Sequence, residues 1–104
     1  MMYVSVPIDD IGINDLDYCA EESAHVISYE MSKRECDELF DRHVFDEINN
    51  KFKLLIDTYE TERIFYEALS FCKELLERKG LEKTNFMKGI EKALEYRTYV
   101  QLDL

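Results

Sequence analysis

Apolar residues alternate at the start of the chain. Val4, Val6 and Ile8 are separated by Ser5 and Pro7, the two-residue period of a strand with one buried face. Proline has no N–H for a ladder, so Pro7 should end this strand or lie on a sheet edge. Residues 24–30, AHVISYE, predict a second strand through Val26, Ile27 and Tyr29. The tail, 98–104, alternates again, with Val100, Leu102 and Leu104 on one face. The two end strands are expected to pair and bring the chain ends together.

Helical spacing fills the rest. Gly12 suggests a turn, and Asn14 an N-cap for a short helix over 15–22, with Asp15 and Asp17 in its first turn. Leu16, Cys19 and Ala20 would then face inward, and Tyr18 outward among carboxylates. Ser32 opens a capping box, S-K-R-E, closed by Glu35. After it Cys36, Leu39, Phe40, His43, Val44, Ile48, Phe52, Leu55 and Ile56 recur at helical spacing. They fit one long helix, or two broken near His43 or at Asn49 and Asn50. Residues 61–79 carry the broadest apolar face, from Ile64, Phe65 and Ala68 to Leu75 and Leu76. Arg78 and Lys79 suit its last turn, and Gly80 closes it. A last helix is expected over about 85–97, through Phe86, Ile90, Ala93 and Leu94. The predicted fold class is α+β: a small antiparallel or mixed sheet of about three strands, packed against three to four helices. No repeat, low-complexity run or linker divides the chain, so residues 1–104 are expected to form a single globular domain.

Charge changes this picture most. The chain has 23 acids against 13 bases, a formal net charge of −10. Residues 1–32 hold seven acids and no Lys or Arg, a balance of −7; residues 33–104 carry only −3. Such a surface repels duplex nucleic acid and anionic membranes and attracts basic proteins. No apolar run approaches the length needed to span a membrane. The first residues lack the basic leader of a signal peptide. The three cysteines are odd in number and far apart, which favours reduced thiols over a disulfide framework. A cytoplasmic location is the expectation.

Six of the acids fall within residues 9–22, in the stretch DDIGINDLDYCAEE: Asp9, Asp10, Asp15, Asp17, Glu21 and Glu22. An EF-hand loop needs oxygen ligands at fixed offsets, Gly at its sixth position and Glu at its twelfth. Setting Gly12 sixth puts Tyr18 twelfth, and starting from Asp15 puts Val26 there. Both registers fail, and no metal or other cofactor is expected, although a weak irregular cation site is left open. Zinc spacing is missing: the chain has no CxxC, no HExxH and no finger-like Cys and His pair. Cys36 and His43 share a helix face with Leu39, Phe40 and Val44, which makes them core and core-edge residues. Cys72 reads as packing. His25, beside Glu21 and Glu22, reads as a half-exposed strand histidine or as a pH-sensitive partner to them. The glycines are isolated, so no phosphate loop forms. The bases of residues 73–97 alternate with Glu, as on solvated helix faces. No nucleophile, base and oxyanion set is evident, so no enzymatic activity is expected.

The acidic stretch admits two readings. One is a hydrated loop that aids solubility. The other is a docking surface made of Asp9, Asp10, Asp15, Asp17, Tyr18, Glu21 and Glu22. Docking is favoured by the absence of local counter-charge and by Tyr18, an aromatic anchor ringed by steering charges. In size, charge and the stretch DDIGINDLDYCAEE, the chain resembles the small bacterial immunity proteins that neutralise toxins delivered between competing cells. That resemblance implies a cytoplasmic inhibitor of one basic cognate toxin, often an RNase or DNase, with no direct nucleic-acid or membrane binding. An alternative is a nucleic-acid-mimicking inhibitor or adaptor subunit. A duplex mimic, however, would spread its carboxylates along an extended surface rather than gather them in one third of the chain.

Overall fold

The computed structural model describes residues 2–20 and 22–104. Its elements run β1 (Met2–Pro7), α1 (Asp10–Asp17), β2 (Val26–Met31), α2 (Lys33–Asp41), α3 (Val44–Phe52), β3 (Thr61–Ile64), α4 (Tyr66–Arg78), α5 (Asn85–Tyr96) and β4 (Val100–Asp103). The class is α+β. The sheet has four strands in the order β2-β1-β4-β3, with every neighbouring pair antiparallel. The first and last strands are the central pair.

Pro7 shows how sequence sets register. The Ile8 N–H donates to the His25 carbonyl at 2.9 Å. By antiparallel alternation the backbone groups of Ser5 and Pro7 then point away from β2, toward β4. Ser5 pairs there with Gln101, but Pro7 has no N–H to offer. Pairing with β4 stops at Ser5 while pairing with β2 continues to Val26. Pro7 ends the strand, as expected, although the strand lies at the centre of the sheet.

One face of the sheet carries Val4, Val6, Met31, Ile64, Val100 and Leu102, all buried. Helix α5 crosses this face over β1 and β2, and α4 packs on α5. Gly89 makes that crossing close, because a Cβ there would press into the Val4 methyl groups. Phe45 and Phe86 meet edge to face at 5.5 Å and join α3 to α5. Glu35 links the starts of two helices. Its N–H donates to Ser32 Oγ at the start of α2, while its carboxylate accepts from the Asn85 and Phe86 N–H groups at 3.0 and 3.1 Å.

Several sequence expectations change. The short helix runs over Asp10–Asp17 rather than 15–22, and its cap is Asp9, whose carboxylate accepts from the Gly12 N–H at 2.9 Å. Gly12 is therefore helical and not a turn; a Cβ there would overlap the His25 carbonyl oxygen. Leu16 is half-buried, and Cys19 and Ala20 are exposed rather than inward. Of the alternatives for the long apolar run, two helices broken at His43 is the one found, with φ +61° at His43. Its end lies outside α3, where the Asn49 side chain holds Ile56 through both its backbone groups, at 2.9 and 3.0 Å. Residues 61–64 form β3 rather than a first helical turn, so the sheet gains a fourth strand and α4 starts at Tyr66. Among the described residues five helices form where three to four were expected.

Candidate functional site

The second face of the sheet is polar and only partly covered. Antiparallel partners share a face, so the register sets Ser28, Ser5, Gln101 and Arg63 in one row. Tyr3, Asp103 and Thr61 form the next row. Helix α1 packs against β1 and β2 on this side. It is pinned at its N-terminus by Asp9, which caps Gly12 and lies 2.6 Å from His25 Nδ1. The Gly12 N–H first, and His25 second, hold the Asp9 carboxyl below its usual range.

Of the seven expected docking residues, Glu21 lies outside the described residues. The other six gather on α1, its cap and its trailing turn. Asp10 and Glu22 are exposed. Asp15 is half-buried and accepts the Ser23 hydroxyl proton at 2.5 Å. Tyr18, at the C-terminal cap, is 79% exposed. The expectation of no counter-charge needs correcting. Arg63 reaches across from β3 to place Nη2 2.9 Å from Asp17, and His25 adds charge beside Asp9 when protonated. Pairing with Arg63 brings together residues 46 positions apart in sequence, so no local reading could find it. Asp10, Asp15 and Glu22 have no cationic partner among the described residues.

Arg63 is firmly held. Its Nε donates to Gln101 Oε1 at 3.0 Å, and its guanidinium lies over the Tyr99 ring at 4.8 Å. Burial pushes the Tyr99 phenol up from its usual value. Gln101 in turn donates to Asp103 at 3.2 Å, and Thr61 donates to the same carboxylate at 2.8 Å. Between α1, the turn after it and this sheet face lies an open groove of about 600 Å³. Its floor includes Ser5, Ser28 and Gln101, and Asp15, Glu22 and Asp103 stand on its walls. A smaller hollow of about 390 Å³ adjoins it, between Asp17, Arg63 and Phe65. Sequence reasoning missed the sheet half of this site. Its only signal was the polar half of the strand alternation: Tyr3 and Ser5 in β1, Gln101 and Asp103 in β4.

Asp9 and His25 form a carboxylate–imidazole pair, but the nearby Ser23 hydroxyl is directed to Asp15. Among the described residues no group of three or more His, Cys, Asp or Glu is arranged to hold a metal ion. Cys36 and Cys72 are buried, and burial pushes their thiols up to about 11 and about 12. Among the described residues no helix is long and apolar enough to cross a membrane. The fold and site together define a small α+β domain with one acidic helix laid over a polar sheet face. Comparison with known proteins finds no matching family model, no similar curated protein and no similar solved structure.

Proposed function

We propose that this chain is a small acidic protein-binding module. In this reading it is an immunity-type inhibitor that neutralises a basic toxin, such as a nuclease, by occluding its active site. The observation that carries the reading is the α1 surface. Asp10, Asp15 and Glu22 lack cationic partners there, and Tyr18 stands exposed beside them. Carboxylates so placed would steer a cationic surface inward and take the positions of substrate phosphates opposite its Lys and Arg side chains. An exposed tyrosine supplies contact area at low entropic cost. The compact patch suits a plug better than a duplex mimic, which needs charge along an extended surface.

The test is co-expression with a basic nuclease encoded beside this chain's gene, followed by activity and association measurements. A one-to-one complex with the nuclease silenced is expected, and association should slow by about tenfold or more between low and high salt. Asp10→Lys, Glu22→Lys and Tyr18→Ala should each weaken the complex about tenfold while the fold is kept. Asp17 is a poor probe, because a lysine there would face Arg63. A fully active nuclease in the mixture, or association indifferent to salt, overturns the proposal.

A further inference from the structure

The groove beside α1 says more about the partner than the charge does. Ser5 and Gln101 are only 6% and 8% exposed, although both are polar and both sit on central strands. The Ser5 and Ser28 hydroxyls lie 3.0 Å apart and share one hydrogen, which leaves lone pairs on both oxygens to accept further donors. Asp15 and Glu22 stand on the helix side of the groove and Asp103 on the sheet side. Among the described residues no Lys or Arg lines it. Arg63, in the adjoining hollow, is already engaged by Asp17, Gln101 and Tyr99. These acceptors lie on separate walls, and among the described residues no group of three or more His, Cys, Asp or Glu is arranged to hold a metal ion. They match a flat cation with several N–H donors in a fixed fork, which is a guanidinium rather than an ammonium.

We propose that the basic partner seats an arginine side chain in this groove, between Glu22 and Asp15 on one wall and Asp103 on the other, above the Ser5–Ser28 hydroxyl pair. The inference rests on the protein-binding reading above and adds the sheet face to its interface. Charge complementarity selects the occupant: the charged groups among the described lining are all carboxylates, while Leu16, Ala20 and Val26 offer apolar surface to the methylene stem of a long cationic side chain. The outer face of α1 then steers, and the groove reads side-chain identity.

The experiment is a titration of the isotope-labelled full chain at low salt, followed by backbone amide NMR signals. The probes are N-acetyl-arginine methylamide, its lysine counterpart and Ca²⁺. Saturable movement of Ser5, Ser28 and Gln101 with the arginine probe is expected, with the lysine probe weaker by about fivefold or more. Ser28→Val and Glu22→Gln should each weaken the arginine probe about fivefold, thermal unfolding serving to show that both variants stay folded. Equal response to both amides, preference for Ca²⁺, or movement confined to the outer face of α1 overturns the groove. The two proposals then separate. A nuclease complex that survives Ser28→Val but is lost in Tyr18→Ala overturns the groove and leaves the inhibitor reading standing. An arginine probe that seats in the groove, with the basic nuclease left unbound and active, supports the groove as an arginine site and overturns the inhibitor reading.

Discussion

Gly12 carries more of the site than any single carboxylate. An isolated glycine between acids reads as a turn, yet here it is the point where α1 touches the chain entering β2. The contact partner is a backbone carbonyl thirteen residues away, so neither composition nor periodicity could reveal it. Replacing an ordinary helical glycine by alanine stabilises by roughly 0.5–1 kcal/mol. Gly12→Ala is expected to do the reverse and cost about 1–3 kcal/mol, since the new methyl must displace α1 from the His25 carbonyl. Urea unfolding of the two proteins checks the sign; a more stable variant would show that α1 has room to shift. The Asp9 cap was missed for a related reason. Several residues of the stretch can cap a helix, and the choice fell to the one that also meets His25 across the turn.

At the level of elements, the strands at both ends and helices α2, α4 and α5 were legible to within a few residues, because each carries its own period or cap. The failure at Thr61–Ile64 is instructive. Ile64 fits the apolar face of the following helix by spacing, and four residues are too few to show a competing alternation. What makes them a strand is pairing with β4, Ile64 opposite Val100 and Thr61 opposite Asp103. Glu35 shows the opposite case, a local signal with a distant use. As the last residue of the capping box it was expected to serve its own helix, and its carboxylate instead satisfies the first N–H groups of α5, fifty residues on. Glu35→Ala should therefore loosen the N-terminus of α5 and cost about 1–2 kcal/mol. Hydrogen exchange gives the readout: faster exchange is expected at Asn85 and Phe86, and unchanged protection there would assign the carboxylate no capping role.

For the whole molecule the net charge of −10 acts in two directions. In the free chain, like charges on α1 repel, with Arg63 and His25 relieving only part of the field. Added salt screens that repulsion, so the thermal midpoint of the isolated chain should rise with ionic strength. The same salt should slow association with a basic partner. Opposite salt trends in stability and binding are the expected signature, and a midpoint that falls with salt would mean that ion pairs such as Arg63 with Asp17 outweigh the repulsion. The charge asymmetry was legible in the sequence and its compensation was not, because the relieving residues come from β3 and from the residue just before β2.

The strand order has a consequence for how the chain is made. Of the four described strands β1 is made first and β4 last, yet these two are neighbours at the middle of the sheet. Until β4 has been synthesised, β3 has no partner strand and β1 has only β2. The sheet is therefore closed only once β4 has been made, and a chain that stops short of it holds neither the Gln101 floor nor the Asp103 wall of the groove. Binding competence therefore waits for β4 to join the sheet.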